Sequence, residues 1–163
     1  MKNVLVPTDF TDQALELIDI ILQKFGKSTF NFLLFHSISI DPSITDMLFF
    51  STEKKLLRHV SSDFFKRSNQ LLTKYHSRIH SINTIVINGD SERYFRNVIE
   101  SNKIDFVLLE QNYTYLKVID ESCDPVGILE TCPVHKIMIN RLKGVKSETE
   151  KIAAEFLHSF SLN

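Results

Sequence analysis

Glycine and proline are scarce in this chain, four of each in 163 residues, and no stretch reads as a low-complexity linker. Tandem repeats are absent as well, so one domain is expected, and the 43% hydrophobic content is enough for a continuous core. The only cysteines, Cys123 and Cys132, stand nine positions apart, which is neither a CxxC redox pair nor a paired-ligand zinc spacing. No excess of one charge exists either: 19 basic residues face 20 acidic ones, for a net charge of −1. Nucleic acid and anionic lipid both call for a basic face, so neither is an expected partner. The first apolar run ends at Pro7, too soon for a signal peptide or a membrane span, and a reduced, cytoplasmic setting is expected. Six histidines are scattered, only His76 and His80 share helical i,i+4 spacing, and no HExxH motif accompanies them. No metal site is expected.

What is present is an alternation of short apolar runs and amphipathic stretches. Val4-Leu5-Val6, closed by Pro7, suits a buried parallel strand. Thr11 is an N-cap candidate for a helix whose apolar stripe runs from Ala14 to Phe25 and stops at Gly26. A second strand is expected over residues 30–35, then a long loop over 37–52 with a turn at Asp41-Pro42-Ser43. One long helix is expected over 53–79, with Leu56, Leu57, Phe64 and Leu71 turned inward. A third strand over 83–87, a helix over 91–101 that turns Tyr94, Phe95, Val98 and Ile99 inward, and a fourth strand over 105–109 follow. A short helix then leads to a fifth strand that starts at Pro133-Val134 and ends at Ile139. This order implies right-handed βαβ units and a five-stranded, parallel, doubly wound α/β sheet over residues 1–141. Residues 142–163 form a C-terminal extension. Its apolar positions 152, 153, 156, 157 and 160 keep helical spacing.

Candidate chemistry gathers where such sheets bind ligands, at the carboxyl ends of the strands. Asp9 after strand one and Glu110 after strand four suggest a carboxylate pair for acid/base work or Mg²⁺. The plainer reading gives Asp9 to backbone N–H groups of its own turn and leaves Glu110 solvated. It is preferred, because no third catalytic group is evident and no catalytic residue is expected. Ser122 lacks a nucleophile elbow, and His36 stands outside any HxGH-type motif. Cys132 before Pro133 suits packing at a strand start. The acidic neighbours of Cys123 would raise its pKa and slow its oxidation. Of the aromatic pairs Phe49-Phe50 and Phe64-Phe65, one member each is expected to be only partly covered, since helical neighbours point about 100° apart.

Several segments resemble the universal stress protein family. Lys2-Asn3-Val4-Leu5-Val6-Pro7-Thr8-Asp9-Phe10-Thr11 is similar to its first strand and turn, and Leu33-Leu34-Phe35-His36 to the end of its second strand. Asn88-Gly89-Asp90-Ser91, the run from Asn102 to Leu109, and Thr131-Cys132-Pro133-Val134 resemble its third helix, fourth strand and last strand. The resemblance spans residues 2–140. It implies an adenine nucleotide alpha hydrolase-like sheet of order 3-2-1-4-5 and a homodimer joined through the last strand, to which the C-terminal extension would add.

Some members of that family bind ATP. Their cradle reads Gly-x-x-Gly, a nine-residue interval and Gly-Ser/Thr, because glycines let backbone N–H groups close around phosphates without Cβ interference. In this chain Glu110 and Tyr113 take the first two glycine places, and Asp120 and Glu121 take the place of Gly-Ser. Glu110, Asp120, Glu121 and Asp124 would repel a triphosphate by roughly 2–3 kcal/mol each at about 6 Å and an effective dielectric near 20. Several such terms rival a micromolar affinity of about 8 kcal/mol. No cofactor is therefore expected, and ATP is disfavoured. By resemblance, a vestigial nucleoside crevice would be lined by Pro7, Thr8, Asp9, Ser37, Leu109 and Glu110. The expected role is a cytoplasmic, dimeric regulatory or binding module of stress response, with an unidentified protein partner. The alternative is an atypical nucleotide sensor or hydrolase that uses Asp9 and the loop after strand four.

Overall fold

The computed structural model describes residues 1–25, 28–40, 46–89 and 91–140, with side chains of 46–48 left aside. The helix stop at Gly26, the turn at 41–43, Asp90 and the C-terminal extension lie outside the described residues. Five parallel strands form one sheet in the order β3-β2-β1-β4-β5. They are β1 (Lys2–Pro7), β2 (Phe30–Ile38), β3 (Ile79–Asn88), β4 (Phe106–Glu110) and β5 (His135–Ile139). The helices are α1 (Asp12–Lys24), α2 (Asp46–His59), α3 (Ser62–Lys74), α4 (Glu92–Ser101) and α5 (Val126–Glu130).

Alternation along each strand divides the core in two. Val4, Val6, Phe32 and Leu34 point to the face covered by α1, α2 and α3, where Ile18, Ile21, Leu56 and Phe64 meet them. Leu5, Phe35 and Val107 point to the opposite face, against Phe95, Val98 and Ile99 of α4 and Leu129 of α5. Cys132 is buried in this second cluster, as expected for a strand start.

Three expectations need correction. The stretch over 53–79 is two helices: Ser61 breaks it, its hydroxyl accepting the Asp63 N–H at 3.1 Å as the N-cap of α3. Apolar spacing runs through the break undisturbed, which hid it, and Ile79 already belongs to β3. The long loop is shorter than expected, since β2 runs on to Ile38 and α2 begins at Asp46. Leu57 and Tyr94 face outward, 42% and 38% exposed. Of the aromatic pairs, Phe50 and Phe65 are the exposed members, at 61% and 42%.

On the α4 face the register sets Ser81, Asn31 and Asn3 side by side across three strands at the amino end of the sheet. Ser81 Oγ donates to Asn31 Oδ1 at 3.0 Å, Asn31 Nδ2 to Asn3 Oδ1 at 2.8 Å, and the Asn3 backbone N–H to Asp105 at 2.7 Å. This polar row ends the core where helix α4 stops covering the strands.

Candidate functional site

Strand order reverses at β1, so the crevice lies at the carboxyl ends of β1, β2 and β4. Thr8 still donates its N–H to the Phe35 carbonyl at 2.9 Å, while its hydroxyl accepts the Phe10 N–H at 2.9 Å. Asp9 Oδ1 accepts both the N–H and the hydroxyl of Thr11, at 3.0 and 2.6 Å. Between these turns Phe10 sits at φ 58°, a left-handed conformation that bulky side chains rarely adopt. Ring packing on His36 at 5.2 Å and on Phe64 at 5.4 Å accompanies it there.

The segment after β4, residues 111–124, fills the crevice from above. Leu116 N–H donates to Asp9 Oδ2 at 3.1 Å, so both oxygens of that carboxylate are engaged. Further on, the Cys123 N–H donates to the Ser37 carbonyl at 3.0 Å and the Ser39 N–H to the Glu121 carbonyl at 2.8 Å. Ile38 and Ser122 form an antiparallel bridge. The segment thus crosses the end of β1 and pairs with the overhanging end of β2. Ile119 joins the main core from this position, 7% exposed.

His36 sits beneath this strap with no exposed surface. Its Nδ1 lies 2.7 Å from the Thr8 carbonyl, which only accepts, so Nδ1 carries the hydrogen and Nε2 is the acceptor. The Ser122 hydroxyl at 2.9 Å and the Tyr115 hydroxyl at 3.2 Å stand within donating distance of Nε2. Burial holds His36 below its ordinary pKa, against the opposing pull of the Thr8 carbonyl and Asp9. Serine beside a neutral histidine has the outline of a nucleophile and base. Ser122 is only 1% exposed, however, and its oxygen accepts the Ile119 N–H at 3.2 Å. Here the pair fastens the strap.

The six crevice residues expected from resemblance fall into two groups. Thr8, Asp9 and Ser37 are 1%, 3% and 1% exposed, buried at the strap. Pro7, Leu109 and Glu110 instead line an open pocket of about 460 Å³ on the α5 side. Two of the four acids expected to repel a triphosphate have partners. Glu121 is held by Lys55, whose Nζ lies 2.9 Å from each carboxylate oxygen and draws the Glu121 pKa down. Asp124 accepts the Val126 N–H at 2.9 Å ahead of α5. Packed chain, more than bare negative charge, now stands in the crevice.

His36, Tyr115 and Ser122 were the residues missed as a group. The available signal was a polar residue, His36, closing an apolar strand that has nothing to cover it but the chain itself. Among the described residues no group of three or more His, Cys, Asp or Glu is arranged to hold a metal ion. No helix among them is long and apolar enough to cross a membrane.

The geometry defines an open, doubly wound α/β domain with its switch-point crevice closed by its own chain. No family model matches the sequence, and no curated protein does. Among solved structures the chain is similar to the universal stress protein UspA from Lactobacillus plantarum, 14% identical with a TM-score of 0.53, covering 85% of this chain and 97% of that one. It is also similar to the hypothetical protein MJ0577, 16% identical with a TM-score of 0.54, covering 88% of this chain and 98% of that one. The hypothetical protein PH0823 is 15% identical with a TM-score of 0.54, covering 87% of this chain and 98% of that one. The fold of this chain is that of the universal stress protein UspA.

Proposed function

We propose that this chain is a universal-stress-type protein that works as a cytoplasmic binding or regulatory module without ATP and without catalysis. One observation carries the reading: residues 111–124 occupy the crevice and use up its polar groups. Asp9 is bonded to Leu116, the Ser37 carbonyl to Cys123, and His36 to Ser122. A nucleotide seated there must first displace Ile119 from the core and strip a buried carboxylate and a buried imidazole of the partners that residues 111–124 supply. Each such loss costs about 1–3 kcal/mol. Glu110 and Tyr113, at the cradle's glycine places by resemblance, add side chains where the cradle needs bare backbone.

Titration calorimetry with ATP and Mg²⁺ tests the reading, and the expected outcome is no binding at 100 μM protein. A dissociation constant in the low micromolar range or below sinks it. If that binding vanished with EDTA and in Asp9→Asn, the nucleotide-sensor alternative would replace it. Assembly is proposed as a homodimer through β5, a sheet edge whose outer backbone groups suit pairing with a twin strand. Light scattering on the eluting protein reads its mass directly, and a monomer at 50 μM removes this part of the proposal.

A further inference from the structure

We infer that residues 111–124 are an acid-operated gate: a proton taken up by His36 releases them from the mouth of the crevice. Such a gate rests on the proposed reading, in which the same strap keeps the crevice shut at neutral pH. His36 lies on β2 with no exposed surface and joins the sheet to the strap through one atom. Its Nδ1–H stays on the Thr8 carbonyl at 2.7 Å, so Nε2 is the atom that takes the proton. The Ser122 and Tyr115 hydroxyls meet the ring at that atom, at 2.9 and 3.2 Å. Protonation turns Nε2 from acceptor to donor, and both hydroxyls lose the lone pair within their reach. Their oxygens can turn to accept the new N–H, but Ser122 Oγ already accepts the Ile119 N–H at 3.2 Å. The charge itself stays closed off from water, and lifting the strap hydrates it.

The groups packed around the ring leave that charge poorly compensated. Asp9, from the turn after β1, favours the imidazolium, but its two oxygens are held by Thr11 and by Leu116 of the strap. Tyr115 lies against the ring and Tyr113 against Tyr115, both as neutral phenols whose pKa values burial raises. Cys123 is turned to Ser37, 3.1 Å from its hydroxyl. Phe10 packs on the imidazole, Phe64 of α3 packs on Phe10, and Val86 stands beside His36 on β3, all without charge. Lys55 of α2 and Glu121 of the strap pair with each other. Burial therefore outweighs Asp9 and holds the His36 pKa down while the strap is shut. The strap is also built to leave alone. Between residues 111 and 121 only Ile119 is buried, and no helix or strand forms. Such segments open at lower free energy than the strands beneath them. Opening uncovers Thr8, Asp9 and Ser37, all now buried.

Amide hydrogen exchange on the full chain, corrected for intrinsic rates, reads the gate at pH 7.5, 6.5, 5.5 and 5. Protection at Leu116, Ile119 and Cys123, whose N–H groups tie the strap down, should fall below about pH 6.5 by up to about tenfold per pH unit. At every pH these amides should be at least about tenfold less protected than Leu5 and Leu34, which sit in strands paired on both sides. Equal protection of strap and sheet would mean that the strap opens only when the whole fold does, and overturns the inference. So does strap protection that ignores pH. In His36→Gln the decline from pH 7.5 to 5 should disappear; a decline that persists belongs to Asp9 and overturns the assignment to His36. The wild-type ring gives a check that needs no variant. A His36 resonance that titrates at or above about pH 6.5 leaves protonation nothing to gain from opening, and also overturns the gate. Tight binding of ATP at neutral pH sinks the reading beneath it, whereas a strap that stays shut in acid sinks this inference alone.

Discussion

His36 concentrates the chemistry of the strap in a single ring. It is fully buried, its Nδ1–H is committed to the Thr8 carbonyl, and its Nε2 accepts from hydroxyls of the strap. Burial lowers its pKa in the folded state below the value of about 6.5 that it regains on unfolding. Between those two values the unfolded chain binds more protons than the folded one, so the stability of the fold rises with pH. His36 therefore contributes stability that is fully present above about pH 6.5 and drains away as pH falls toward the lowered folded value. Urea unfolding at pH 8, 7, 6 and 5 should show this decline, approaching about 1.4 kcal/mol per pH unit at its steepest. His36→Gln should be less stable at pH 8 yet flatter from pH 7 to 5. Parallel curves for the two proteins would contradict the assignment. Arg78 is a second residue whose role only the fold discloses: its guanidinium reaches the Leu22 and Phe25 carbonyls at the end of α1. Carbonyls at the end of a helix run out of intrahelical donors, and a cation there also suits the helix dipole. Arg78→Ala is expected to lower stability by about 1–3 kcal/mol in the same assay, and Arg78→Lys to recover only part.

Among elements, the joint between strap and sheet is the tightest. A Cβ added to Gly89 would lie 2.2 Å from Ser37 Oγ and 2.8 Å from Cys123 Sγ, so glycine is needed for space and not for its backbone. Gly89→Ala should destabilise the fold by about 1–3 kcal/mol. The strain should appear locally, as faster amide exchange at Cys123, whose N–H bonds the Ser37 carbonyl. Adding Ser37→Ala and Cys123→Ala removes both clashing atoms and should restore at least half of the loss; no recovery would mean that the strain lies elsewhere. This joint also marks where the sequence stopped being legible. Strand centres were plain, because residues such as Val4, Leu34 and Val107 must be buried on both faces of a parallel sheet. Strand ends were not. β2 continues through His36 and Ser37, polar residues whose burial depends on a strap more than 80 positions away in the chain. β3 begins four residues early, since a sheet-edge strand tolerates an exposed polar residue such as His80. The site divided in the same way. Asp9 in its own turn is a local pattern and was readable, whereas the Lys55–Glu121 pair joins elements 66 positions apart and left no periodic trace.

For the whole molecule, the two core clusters of the described residues motivate a proposal for the extent of the folding unit, which truncation tests. Every buried apolar residue in them lies between Val4 and Ile139, and both faces of the described sheet carry helices drawn from the same span. The backbone at the end of β5 is tied in as well, through the Gln111 N–H on the Ile139 carbonyl at 2.7 Å. A chain cut after residue 141 therefore keeps all of these contacts and should fold cooperatively, with a thermal midpoint within about 5 °C of the full chain. A shift of that size corresponds to roughly 1–2 kcal/mol in a domain of this length. The comparison also separates two roles for residues 142–163. If the extension serves only assembly, truncation should lower the mass seen by light scattering, or make it concentration-dependent, while the midpoint measured at low concentration stays put. A midpoint that falls by 10 °C or more at constant mass would instead make the extension part of the fold. Because a dimer joined by β5 alone already pairs its edge backbone, truncation should weaken it without abolishing it. A charged or proline substitution at Ile137 would harm the core as well, since that side chain is only 4% exposed. Met138→Pro is the cleaner probe: its side chain is 39% exposed, and Pro removes an N–H from the β5 backbone. Loss of the dimer in Met138→Pro, with α/β circular dichroism retained, would assign the interface to the edge of β5.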